Sequence, residues 1–296
     1  MRRPSTVELM LLATILLWAL NLSVTKYILS HGLLPLPYAT VRYALAGLTF
    51  VGLTLYAERT LRVRRRDVPV LAVAAGMLFL NQLSFVFAVD VTSASTIGLV
   101  LGAIPIFAGF LGLVLGTERP SPRFWMAAGI SAVGVALVAA GSGGGELAHD
   151  LGGIVLGLCT AATWAAYSVA VAPLMRTYSP SRMSAVVLPA AWVGLLLVGL
   201  PQTADQDWSL GWEIWALLAF ATLGPLVVTN VLWFRAIHRI GANRATLAAN
   251  LQPFVAAVLA VVLLSESLSW LQVVGGALIG VAILAVRRRA PAPRAA

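Results

Sequence analysis

Long apolar runs separated by short polar gaps fill this chain, as in "LMLLATILLWALNLSV" from Leu9 to Val24. The runs are continuous rather than alternating, which excludes the two-residue pattern of a transmembrane β-barrel. Each approaches the roughly 20 apolar residues that a membrane-crossing helix needs. The pattern predicts spans near 7–29, 36–56, 68–89, 91–115, 123–141, 152–174, 183–201, 213–235, 241–264 and 268–287. The expected fold class is therefore an all-α integral membrane protein with ten transmembrane helices.

The pattern also repeats. In "IPIFAGFLGLVLGTERP" Pro105 precedes Glu118 by thirteen residues, and in "QPFVAAVLAVVLLSESL" Pro253 precedes Glu266 by the same distance. The two pairs are offset by 148 residues; "WALNLSV" from Trp18 and "WAAYSVA" from Trp164 are offset by 146. Gly129 and Gly134 correspond to Gly275 and Gly280 in the same way. The expectation is two five-helix repeats, 1–146 and 147–296. Because five is odd, the second copy is inverted in the membrane, an arrangement that recurs in secondary transporters. Glu118 would then end helix four at one face and Glu266 helix nine at the other.

Composition sharpens the class. Hydrophobic residues make up 60% and charged residues 10% of the 296, against roughly 25% charged in soluble domains. The net charge of +9 does not point to nucleic acid, because the basic residues lie in gaps between runs and not in an aromatic-lined groove. With the N-terminus inside, the inner segments collect Arg2, Arg3, Arg59, Arg62, Arg64, Arg65, Arg66, Arg119, Arg123, Arg176, Arg182, Arg235, Arg239, Arg244, Arg287, Arg288, Arg289 and Arg294. The outer loops hold Asp90, Glu146, Asp150, Asp205 and Asp207 and no lysine or arginine. This bias places both termini in the cytoplasm. Arg2 and Arg3 precede the first run, but no small-residue cleavage site follows it, so it is read as a span and not a signal peptide.

The candidate chemistry is that of binding. No nucleophile elbow, zincin motif or phosphate loop occurs, and His31, His149 and His238 lack metal-ligand spacing. No enzyme activity, cofactor or metal is expected. Cys159 is the single cysteine, so no disulfide forms within the chain, and its place in an apolar run suggests inert packing. Trp18, Asn21 and Thr25 share one face of helix one, and Thr160, Trp164 and Tyr167 share one face of helix six. Such mixed aromatic and polar stripes suit a pocket for a small organic solute. Asn81, Gln82, Asn230, Trp233 and Asn250 are further mid-span candidates, interhelical hydrogen bonding being the competing role. Pro105 and Pro253 are candidate hinges, expected to free the carbonyls of Leu101 and Ala249. Lys26 and Arg42 are the two basic residues left within spans, and the second half has uncharged residues at the matching positions. Arg42 could anchor a solute carboxylate or form an ion pair with Asp90 or Glu266. Lys26, Glu118 and Glu266 are candidates for coupling or gating, with protons as the candidate coupling ion. Each of the two glutamates could equally cap a following helix.

The residues "VRYALAG" from Val41, "VTSASTIGLVLGAIPIFAGFLGLVLGTE" from Val91 and "TAATWAAYSVAVAPL" from Thr160, with Trp18 and Asn21, resemble both repeats of an EamA-type protein. This is the drug/metabolite transporter superfamily. The resemblance implies ten helices around a central cavity, with helices five and ten at the periphery. It further implies transport of small metabolites such as amino acids, commonly export, across a bacterial cytoplasmic membrane. The chain departs from its own symmetry at Tyr167, which stands where helix one has Asn21. A scaffold or receptor that moves no solute is the alternative from another class; an intramembrane enzyme is a more remote one.

Overall fold

A computed structural model describes residues 6–116, 121–142, 147–240, 249 and 251–287, and every regular element among them is a helix. The chain runs through α1 (Thr6–Ser30), α2 (Pro35–Glu58) and α3 (Val68–Val91). A broken span follows: α4 (Ala94–Val100), a 3₁₀ turn (Leu101–Ala103) and α5 (Ile104–Val114). Next come α6 (Pro122–Gly141), α7 (Leu147–Val171) and α8 (Pro180–Asp205). A second broken span joins α9 (Trp212–Thr222) through a π-helical turn (Leu223–Val228) to α10 (Thr229–Ile240). The chain ends in α11 (Gln252–Leu264) and α12 (Trp270–Arg287).

Among the described residues, eight helical spans are long and apolar enough to cross a membrane, and two shorter apolar helices, Gln252–Leu264 and Trp270–Ala285, follow them. The 25 residues of α1 extend about 37 Å at 1.5 Å per residue, beyond the roughly 30 Å of a bilayer core. The 13 residues of α11 reach only about 20 Å. Apolar side chains are found inside and outside alike. Tyr38, Phe50, Leu22 and Ile28 are fully buried, while Leu48, Leu197 and Val262 point outward with relative exposures of 71%, 63% and 70%. A surface this apolar is stable against lipid and not against water.

Most of the described prolines start helices. Pro35, Pro69, Pro105, Pro122, Pro180 and Pro253 lie in the first turn of a helix, where the missing N–H would have had no intrahelical partner, whereas Pro189 and Pro201 lie inside α8. Pro105 thus starts α5 after a break, and Pro253 starts α11. The carbonyl of Leu101, expected to be freed by Pro105, instead accepts the N–H of Ile104 in the 3₁₀ turn.

The helices pack mainly as α6 on α12, α3 on α7, α2 on α8 and α1 on α11, with α4 also on α11. Glycines permit the closest approaches. A Cβ on Gly134 would stand 2.7 Å from the Gly275 carbonyl oxygen, and one on Gly275 would stand 2.5 Å from that of Gly134. A Cβ on Gly98 would lie 3.1 Å from the Ala256 Cβ, and one on Gly102 would meet Ile279 at 2.7 Å and Pro253 at 3.7 Å. The part of the first broken span that precedes Pro105 therefore lies against α11 and α12. The α2–α8 pair is tied at both ends. Glu58 holds Ser179 and pairs with Arg182 at 2.5 Å, and Gln206 and Gln202 accept the N–H groups of Leu34 and Leu36 at 2.7 and 3.0 Å. Gly32, at φ +99°, makes the turn between α1 and α2 that sets this register. Cys159 is exposed on α7, so the inert packing expected of it is not found.

Replacing Gly134 by valine should separate α6 from α12, because the clashing atom is backbone and cannot rotate away. Overpacking of this kind costs about 1–3 kcal/mol. The expected outcome is a lower thermal midpoint in detergent for Gly134→Val, with Gly129→Val, whose Cβ meets nothing within 4 Å, close to the parent.

Candidate functional site

The bend in the α9–α10 span begins with one residue. In an α-helix the Ala221 carbonyl would accept the N–H of residue 225, but that residue is Pro225 and has none. The following turn widens, and the N–H of Thr229 reaches the Gly224 carbonyl in π-helical register. Two backbone carbonyls are left for other donors, and side chains from α1 and α2 supply them.

Arg42 on α2 is 4% exposed. Its Nε and Nη2 donate to the Ala221 carbonyl at 3.3 and 3.1 Å, and Nη2 also donates to Asn21 Oδ1 at 2.9 Å. The guanidinium lies 5.6 Å from the centroid of the Tyr38 ring, a cation–π distance. Tyr38 is itself fixed by a 2.7 Å hydrogen bond to Thr25. The ion pair with Asp90 or Glu266 considered for Arg42 does not form; among the described residues no carboxylate lies within pairing distance of it. Its Nη1 makes no hydrogen bond among the described residues. The cation is held by carbonyl, amide and aromatic dipoles, and its charge is not neutralised.

Trp18 on α1 meets the same bend one turn on. Its Nε1 donates to Thr229 Oγ1 at 3.0 Å and to the Pro225 carbonyl at 3.2 Å, and its ring lies 5.3 Å from that of Trp233. Asn230 donates to Ser184 of α8 at 3.3 Å. Trp18, Asn21, Thr25, Arg42, Asn230 and Trp233 therefore gather where α1, α2 and α8 meet the bend.

The second stripe is built differently. Asn81 donates to the Thr160 carbonyl at 2.8 Å, and Thr160 Oγ1 to Ser84 at 3.1 Å, so these groups are satisfied within the α3–α7 seam. Trp164 is 38% exposed and lies 5.5 Å from Tyr167, which packs on the main core. Gln82 is 3% exposed with its Nε2 unpaired. Glu118 and Asn250 lie outside the described residues.

Lys26 and Glu266 meet two helix ends. Lys26 Nζ donates to the Val89 and Asp90 carbonyls at 2.9 and 2.8 Å, at the end of α3. Glu266 accepts the N–H groups of Ala94 and Ser95 at 2.8 and 2.9 Å, at the start of α4. Cation at the C-terminus and anion at the N-terminus is the arrangement the helix dipole favours. Ser265, in left-handed conformation at φ 54°, turns the chain that presents Glu266. The cap expected on a following helix is thus on α4, 172 positions earlier. Sequence reasoning missed Pro225, whose signal is a Gly-Pro pair inside an apolar run, and it missed Tyr38.

A bundle of apolar helices this long, with buried polar groups and a cation gathered at an internal bend, is a multi-pass membrane protein. The chain is a member of the EamA-like transporter family, whose profile matches residues 5–140 and again 151–288. It is 27% identical over 255 residues to the "Uncharacterized transporter YdeK" of Bacillus subtilis (strain 168), covering 86% of this chain and 88% of that one. A "Probable terminal-alkyne amino-acid exporter" of Streptantibioticus cattleyicolor is 29% identical over 258 residues, covering 83% and 85%. A solved crystal structure of a protein superposes with TM-score 0.66 at 21% identity, over 98% of this chain and 99% of that one. With its apolar spans, the chain is a multi-pass membrane protein of a transporter family.

Glu266→Ala removes both acceptors from the start of α4, a loss of about 1–2 kcal/mol by the measure of helix caps. The variant should melt at lower temperature in detergent. Pro225→Ala returns an N–H to the Ala221 carbonyl, competing with Arg42. It should keep or raise the melting temperature while slowing solute movement, measured in proteoliposomes.

Proposed function

We propose that this protein is a secondary transporter, most simply an exporter, that moves small metabolites such as amino acids across the cytoplasmic membrane by alternating access. The observation that carries this reading is Arg42: a buried guanidinium at an internal bend, beside a tryptophan pair, with no carboxylate among its described partners. A cation within a span costs from about 2.5 kcal/mol upward unless it is compensated, and a solute carboxylate would compensate it with two parallel hydrogen bonds. The exporter name carried by a relative of 29% identity supports the same solute class.

Ten spans in two inverted five-helix halves, 1–146 and 147–296, complete the proposal. The repeated sequence offsets support it, as does the family profile matching once in each half. So does the pairing of α2 with α8 and of α6 with α12, elements at equivalent places in the two halves. On this reading α11 completes a ninth span that begins before Gln252, and the arginine-rich gaps face the cytoplasm. Alternating access then tilts one half against the other, with the breaks at Pro105, Pro253 and Pro225 as the places where helices bend. Nothing in the chain resembles an ATP site, so movement is driven by the solute's own gradient or by a coupled ion, protons being the candidate.

Two experiments test this. In proteoliposomes Arg42→Lys should slow an amino acid more than its carboxamide, because lysine cannot form the bidentate contact, and Arg42→Ala should remove the preference. Equal loss for both solutes would make Arg42 a purely structural donor to Ala221. In whole cells, with Cys159→Ala as background, Ala204→Cys should react with an impermeant thiol reagent and Arg64→Cys should not; reaction at position 64 overturns the orientation.

A further inference from the structure

Lys26 and Glu266 do more than close helix ends: they line one crevice. A pocket of about 400 Å³ is bounded by Lys26, Tyr27, Ser30 and His31 of α1 and by Leu263 to Glu266 after α11. That volume falls within the roughly 300–1,000 Å³ of small-molecule sites. A smaller cavity of about 180 Å³ adjoins it, sharing Tyr27, Leu263 and Leu264 and adding Ser23, Val24 and Leu217. At its foot the Ser23 hydroxyl is 2% exposed and has no hydrogen-bond partner.

Both charges keep capacity after their structural work. An ammonium has three N–H donors, and Lys26 spends two on the Val89 and Asp90 carbonyls. A carboxylate has about four acceptor sites, and Glu266 uses two on Ala94 and Ser95. Because each is pinned by backbone, neither can swing away to neutralise a visitor of the wrong sign. A simple cation would gain from Glu266 and be repelled by Lys26, and a simple anion would meet the reverse, with Asp90, which also attracts Lys26, adding to the repulsion of an anion. A molecule carrying both charges satisfies both, while the wall of Tyr27, Leu263, Leu264 and Leu217 receives its apolar part.

We propose that this crevice is a binding site for an amphiphilic zwitterion, separate from the path past Arg42. An α-amino acid with an apolar side chain and a phospholipid with an ethanolamine headgroup share that chemistry. With the orientation proposed above the crevice opens at the outer face, so that an exported amino acid would dwell there on leaving; this last step rests on that reading, whereas the binding does not.

The test is local protection of a thiol. Ser30 is exposed on the crevice wall, so Ser30→Cys in the Cys159→Ala background gives a reporter that leaves Lys26 and Glu266 in place. With the purified full chain in neutral detergent, labelling by a thiol reagent is timed with L-leucine, L-leucinamide, 4-methylpentanoate, lysophosphatidylethanolamine or lysophosphatidylglycerol. At about ten times its Kd a bound zwitterion leaves the site free about a tenth of the time, so labelling should slow about tenfold. Protection by leucine identifies the free solute as occupant, and protection by the ethanolamine lipid alone identifies the lipid. Neither the singly charged analogues nor the glycerol lipid should protect. Adding Arg42→Ala should leave protection intact even where it abolishes carboxylate preference in transport, so the two readings fail separately. Protection by none of the five, equal protection by a singly charged analogue, or protection lost with Arg42→Ala would overturn the crevice site.

Discussion

A backbone group freed inside a membrane has no water to turn to, and each one left unpaired costs several kcal/mol. Several polar side chains among the described residues answer to that constraint. Pro225 frees the Ala221 carbonyl, and Arg42 reaches across from α2 to take it. The widened turn after it leaves the Pro225 carbonyl, and Trp18 and Thr229 take that one. The 3₁₀ turn before Pro105 resolves the Leu101 carbonyl locally. Where α3 gives way to α4, Lys26 closes one end and Glu266 opens the other.

On the proposed function, the same solution is what would let the protein change shape. A helix held straight by its own hydrogen bonds has no reason to bend at one place, but a break held by a side chain from another helix bends when that side chain finds a better partner. Among the described residues Arg42 is bound only to neutral groups, so under the proposed function an arriving carboxylate would compete for it on favourable terms, and whatever it gave up at Ala221 would loosen the bend. Binding and bending would then be one event at one guanidinium. The Glu58–Arg182 pair and the glutamine hooks of α8 fasten α2 to α8 at both ends.

Much of this was legible in the sequence because membrane helices are written in long, unmistakable runs. The helix starts at Pro35, Pro122 and Pro180 fall at the edges of predicted spans, and the Trp18, Asn21 and Thr25 face does converge with Arg42. What was not legible depends on which helix touches which. Thr160 and Trp164 match Trp18 by spacing, yet Thr160 is used inside the α3–α7 seam, because a helix face is defined by periodicity and its neighbour is not. The partner of Glu266 lies 172 residues away, beyond any local cap signal. Pro225 was overlooked since it belongs to no repeated pair.

Pro225 also accounts for one of the two unmatched charges, Arg42. At offsets of 146 to 148, Pro225 corresponds to Met77 to Phe79 in α3, which is an unbroken helix. Arg42 corresponds to Leu188 to Ala190 in α8, which carry no charge. The unmatched cation and the unmatched break are therefore two halves of one device. A duplicated chain whose halves were used identically would need neither, and at Pro225 the break is kept with a donor opposite. The donor chosen was a charged one, although a neutral amide would have satisfied the carbonyl at a smaller desolvation penalty. On the proposed function, a charge stands there for what an amide cannot do, which is to hold a solute anion inside the membrane.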